Sequence, residues 1–221
     1  MDFVYDASQV HFRAALDSAR LARLYRREAE AERAAGGSGV EPGNREADAA
    51  IVTVLLTQAA AEAYGSWVHL RAERHPGFLK WQQAWKEFPQ AARALGRSGD
   101  FELDPDRAAL LLYISRWRNY LMHTDPGCRV KLRDQLVQTE EINEGDGEPQ
   151  IVALLNAELA ERLVADFEKL FRWAQEHTGV SAPFTHGAWS RMPPTTFETP
   201  VAVRSLPAWR RALRRLWPMR K

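Results

Sequence analysis

Six consecutive residues, Arg118-Asn119-Tyr120-Leu121-Met122-His123, hold the side chains best suited to chemistry in this chain. Cleaving RNA by attack of its own 2′-hydroxyl needs a base to take that proton and an acid to protonate the leaving 5′-oxygen. It also needs donors around the charge that develops on the phosphate. Histidine titrates in the range proton transfer requires, arginine offers a fixed fork to phosphate oxygens, and asparagine can orient either. This chemistry calls for no metal and no cofactor. In the last turn of a helix, His123 would sit where the dipole favours imidazolium, which suits an acid or a phosphate contact. The Arg-x4-His spacing alone says little, because it occurs again at Arg172 and His177. The Asn directly after Arg118, one of four in the chain, sets the first pair apart.

The helix that must carry these residues has a strong start, since Asp104 is a good N-cap and Pro105 fits the first helical position. It is predicted to reach His123 and stop before Thr124-Asp125-Pro126-Gly127. On a helical wheel Leu110, Tyr113, Ile114, Trp117 and Leu121 form the core stripe, with Asn119 and His123 on the opposite side near Leu112 and Arg116. Arg118 falls between the two faces. A face that mixes Leu112 and Met122 with Arg, Asn and His suits an interface or groove, and Arg116 joins it as a candidate RNA contact.

The remaining elements read as a bundle. Residues 6–35 place Phe12, Ala15, Leu16, Ala19 and Ala22 in one sector of a long helix, which residues 36–43 break. Asn44 is the expected cap of a second helix, apolar almost all round and so central, that runs to His75-Pro76-Gly77. A third segment, 78–96, carries Trp81 and Trp85 with a break at Pro89. Residues 129–155 alternate more than they cycle, with Asn143 to Gly147 between two apolar runs, which predicts a small extended or β-hairpin excursion. Asn156 then caps a helix over 157–177 with Leu159, Leu163, Phe167, Leu170 and Phe171 in one stripe. The expected organisation is a helical domain over 1–179, a Pro/Ser/Thr-rich linker over 180–203 and a C-terminal helix over 204–221.

Composition bounds the rest. The chain of 221 residues has 30 Lys plus Arg against 29 Asp plus Glu, yet residues 201–221 hold seven basic and no acidic side chains, which leaves 23 basic and 29 acidic before them. An acidic body thus carries a strongly basic tail. One cysteine, Cys128, excludes an internal disulfide framework. No apolar run approaches the roughly 18 residues of a membrane span, and Met1-Asp2-Phe3 does not open a secretion signal, so the expected compartment is the cytoplasm. In the tail, Leu206, Trp209, Leu213, Leu216 and Trp217 share one side of a helix. Arg210, Arg211, Arg214 and Arg215 share the other, as candidate RNA contacts. The apolar side suits docking on the chain's own body, or an anionic membrane surface.

Arg118-Asn119-x3-His123 resembles the Arg-polar-x3-His signature of the HEPN superfamily, and residues 55–68 followed by Lys80-Trp81 are similar in style to that family's earlier helices. The resemblance spans about residues 45–177 and implies an all-α, HEPN-like bundle. It also implies a metal-independent endoribonuclease of a toxin or anti-phage defence system, with Arg118, Asn119 and His123 as active residues. The partners it implies are RNA, a second copy facing the first to build one composite site, and an antitoxin or defence-system protein. In members that are modified by nucleotidyltransferases a Tyr stands two residues after the His, where this chain has Asp125. The alternatives are a non-catalytic dimerisation or RNA-binding module and a membrane-associated interaction protein using the basic tail.

Elsewhere the plain readings lead. Glu62 is a paired or solvent-edge residue more readily than an auxiliary acid. His69 and Glu73, four apart, make an exposed polar pair rather than a metal site. Cys128 reads as a small apolar group, and Trp67, Trp81, Trp85, Trp117 and Trp173 as core.

Overall fold

The computed structural model describes residues 7–74, 81–97, 102–123, 126–139 and 151–183. Its elements are α1 (Ala7–Ala34), α2 (Val40–Arg71), α3 (Trp81–Lys86), α4 (Phe88–Ala94), α5 (Pro105–Met122), α6 (Pro126–Thr139) and α7 (Ala157–Thr178), with one more helical turn over 151–153. Among the described residues no strand occurs and no helix is long and apolar enough to cross a membrane. By its contacts the chain divides into Met1–His186 and Gly187–Lys221. The second unit lies outside the described residues, and so do the predicted C-terminal helix and most of the predicted linker.

α2 is the centre of the bundle, packing against α1, α3, α4, α5 and α7, as its all-round apolar composition predicts. Its core partners are aromatic. Phe171 of α7 meets Phe12 of α1 edge-on at 5.0 Å and Tyr64 of α2 at 5.2 Å, while Phe88 stacks between Trp85 at 5.5 Å and Trp173 at 5.2 Å. Burying each such ring is worth roughly 1.5–3 kcal/mol before entropy is charged. Two of the buried aromatic polar groups bond backbone carbonyls. Tyr64 Oη donates to the Val180 carbonyl at 2.9 Å, and Trp85 Nε1 to that of Ala61 at 3.0 Å. At Gly65 the helices come so close that a Cβ would lie 3.1 Å from Trp85 Nε1 and 3.2 Å from Ala84 Cβ.

Three boundaries differ from the sequence reading. α2 begins at Val40, not after Asn44, because Gly39 takes φ 62° as its N-cap and a Cβ there would press to 2.8 Å on the Ala29 carbonyl. Pro42 then lies in the first turn, where no backbone N–H is needed. The extended excursion is overturned over 129–139, which is helix α6 held in the core by Leu136, and over 151–153, also helical. The turn sequence at 143–147 lies outside the described residues. Val180, Ala182 and Pro183 are buried, so packing continues past residue 179, where the linker was expected to begin.

Candidate functional site

α5 starts as its sequence dictates, with the Asp104 carboxylate accepting from the Arg107 backbone N–H at 2.8 Å and Pro105 in the first turn. Its buried residues are Leu111, Ile114, Ser115, Trp117 and Tyr120, with Leu110, Tyr113 and Leu121 half-buried beside them. The bundle-facing arc is therefore broader than the predicted stripe and turned toward Leu111 and Ser115. Arg118 follows Leu111, Ile114 and Ser115 by seven, four and three residues, so it shares their row and is half-buried rather than lying off the core. Leu112, Arg116, Asn119 and His123, spaced 4, 3 and 4 apart, form the outer row.

Within the hexapeptide, Arg118 Nη1 donates to Asn119 Oδ1 at 3.1 Å, which ties the guanidinium and the amide into one unit. The Asn119 carbonyl accepts the His123 backbone N–H at 3.0 Å, and His123 leaves the helix as its C-cap with extended ψ of 125°. Its imidazole is exposed, beside a Met122 that is 53% exposed. Beneath them Trp117 and Tyr120 meet edge-on at 6.4 Å, both buried, and fix the last turn to the bundle. An exposed imidazole can exchange a proton with a bound phosphodiester, and a guanidinium can hold a phosphodiester's oxygens in its fork.

α5 runs antiparallel to α7. The Arg107 guanidinium lies over the Trp173 ring at 4.6 Å, and further along α5 Arg162 bonds the Tyr113 hydroxyl and covers its ring at 5.4 Å. The hexapeptide thus points toward the end of the bundle where α7 begins. That end is held by polar contacts from three helices. Asn156 Oδ1 accepts the Leu159 N–H at 3.0 Å, buried Glu46 of α2 accepts the Ala157 N–H at 2.9 Å, and Arg26 of α1 pairs with Glu158 at 2.9 Å. One turn on, Arg23 pairs with Glu161, whose hydrogen bond and charge raise the guanidinium further above its usual range. The role of Glu46 was missed from sequence. Its signal was register: Glu46 falls in line with buried Ala49, Ala50 and Thr53.

His69 is not part of an exposed pair. It is 1% exposed and its Nε2–H donates to the Ala84 carbonyl at 2.8 Å, because α3 packs on that face of α2, while Glu73 sits past the helix end at φ 53°. Glu62 is half-buried on α2. Trp85, Trp117 and Trp173 are core as expected, whereas Trp67 is half-buried. Nothing is described of the Trp81 and Cys128 side chains, and Arg210, Arg211, Arg214 and Arg215 lie outside the described residues. Among the described residues no cluster of three His, Cys, Asp or Glu is placed to hold a metal. In comparison with known proteins, the chain matches no family model, no curated protein and no solved structure.

Proposed function

We propose that this protein is a HEPN-like, metal-independent endoribonuclease of a toxin or anti-phage defence system, cleaving RNA by 2′-hydroxyl attack. The observation that carries the reading is the exposed His123 imidazole at the end of α5, in one row with Asn119, whose side chain accepts a hydrogen bond from the Arg118 guanidinium. In this reading His123 transfers the proton, Arg118 holds the phosphate's oxygens and stabilises their charge, and Asn119 orients Arg118. Arg116, on the outer row, adds a phosphate contact. One protomer offers a single imidazole in this hexapeptide, and the reaction uses both an acid and a base. A homodimer that joins two hexapeptides supplies both, with the uncovered Met122 at the contact.

Incubating the protein with total RNA in excess EDTA is the direct test. Cleavage should proceed, leave 2′,3′-cyclic phosphate ends, and disappear in His123→Ala and in Arg118→Ala. Cleavage that persists in both variants would sink the mechanism. A second reading, a non-catalytic RNA-contact or dimerisation face, is favoured by the Arg118 Nη1 donor already engaged on Asn119. It predicts RNA binding or pairing of copies without cleavage.

A further inference from the structure

Above the hexapeptide, toward the start of α5, lies a cleft of about 470 Å³. Its floor is Trp85 and Leu111, both buried, with half-buried Leu103 beside them, and its rim carries exposed Leu112, Lys86 and Glu102. That volume is in the range of sites for small organic groups, roughly 300–1,000 Å³, and an apolar floor with a few polar groups at the rim is their usual chemistry.

Leu112 connects this cleft to the candidate site. It heads the outer row that continues through Arg116 and Asn119 to His123, so the cleft and the imidazole lie along one line on α5. At 1.5 Å per residue the separation along the axis is about 10 Å to Asn119 and about 16 Å to His123, a span that a few nucleotides of single-stranded RNA bridge. A nucleobase fits what lines the cleft. Its flat body covers apolar surface, and its edge presents acceptors to an ammonium and N–H donors to a carboxylate, the pairings by which Lys and Glu read bases. Single-stranded RNA is recognised by such splayed bases.

We infer that the cleft between α3, α4 and α5 is a base-binding subsite, which takes one unpaired nucleobase of the RNA strand whose phosphate lies at Arg118 and His123. The inference rests on the ribonuclease reading and adds to it a determinant of where the strand is cut. Arg116, between the two, holds the intervening backbone. The cleft sets register and the hexapeptide acts at a fixed distance from it.

The test uses the full-length protein and a short fluorescein-labelled single-stranded RNA of mixed sequence. Affinity is measured on His123→Ala, so that the strand stays intact, and a single abasic nucleotide is moved along the RNA. One position should weaken binding by about tenfold, the worth of one base contact. Ala108→Trp, at an exposed position on the cleft wall, should fill the cleft and erase that position dependence, and Lys86→Ala with Glu102→Gln should reduce it. In the otherwise wild-type enzyme these changes should raise KM with kcat unchanged. A flat abasic profile, or an Ala108→Trp protein with the unaltered profile, overturns the subsite. Failure of the ribonuclease reading shows separately, as wild-type protein that does not cut RNA.

Discussion

Two Arg-x4-His pairs occur in this chain, both at the C-terminal ends of bundle helices, and the structure uses them in opposite ways. On α7 the pair is consumed by the fold. Arg172 bonds Glu168 one turn back, and the half-buried His177 donates Nδ1–H to the Trp173 carbonyl at 2.7 Å with its ring 4.8 Å from the Trp173 ring. The helix then closes on Gly179 at φ 71°. On α5 Arg118 turns to its own neighbour Asn119, and the His123 ring stands in solvent as the helix cap. The two imidazoles stand at different points of their helix ends. His177 is still inside α7 and its ring folds back on Trp173, whereas His123 is the C-cap of α5, with extended ψ of 125° and Asn119 in place of the aromatic four residues back. Identical spacing therefore yields a packed, bonded imidazole in one place and an exposed one in the other.

The contrast breaks most sharply on paired variants. His123→Ala should lower RNA cleavage by about 10²–10⁴-fold, the usual worth of a proton-transferring group, and leave the melting temperature where it is, since the exposed ring covers no core. His177→Ala should do the reverse. An equal loss of cleavage in both would erase the distinction drawn between the two pairs.

The next largest effect concerns the end of the bundle that both α5 and α7 reach. Glu46→Ala leaves the Ala157 N–H without its buried acceptor, which should cost about 1–3 kcal/mol in urea unfolding. Glu46→Gln keeps a carbonyl acceptor and should recover part of it. Below that comes His177→Ala, whose single neutral hydrogen bond to Trp173 should be worth about 0.5–1.5 kcal/mol by thermal melt. Smallest is the tail. If residues 204–221 touch RNA, deleting them should reduce the logarithmic salt slope of binding by up to about 0.7 per lost phosphate contact. An unchanged slope removes Arg210, Arg211, Arg214 and Arg215 from the RNA interface.

The helix starts set by a side-chain cap, those of α5 and α7, were legible because such a cap is a local event. Asp104-Pro105 and Asn156 cap as their types require, and the α7 stripe of Leu159, Leu163, Phe167, Leu170 and Phe171 is wholly buried. α6 was misread for a physical reason. Val130, Leu132, Leu136 and Val137 do not keep one helical face, and Val130 is 46% exposed, so its period is blurred while its β-branched residues suggest a strand. The start of α2 was missed because a left-handed glycine cap depends on how closely α1 returns, which no local pattern encodes. At the candidate site, the helix, its end and the outer row of Asn119 and His123 were readable. The burial of Arg118 was not, because the arc a helix turns inward is set by all its neighbours. The carboxylate of Glu46 reaches across 111 positions of chain, and a helix wheel sees only its own turn.

That long reach has a consequence for how the protein is made. A ribosome releases α1, α2 and α5 before it releases α7. Until then Phe12 and Tyr64 lack the Phe171 ring that covers them, Glu46 has no Ala157 to receive, and Tyr64 has no Val180. A nascent chain can therefore carry the complete hexapeptide without the frame that holds its end of the bundle in place. Assembly of that frame waits on α7, the last of the described helices to be translated, so this end of the bundle is put together after the hexapeptide itself is made.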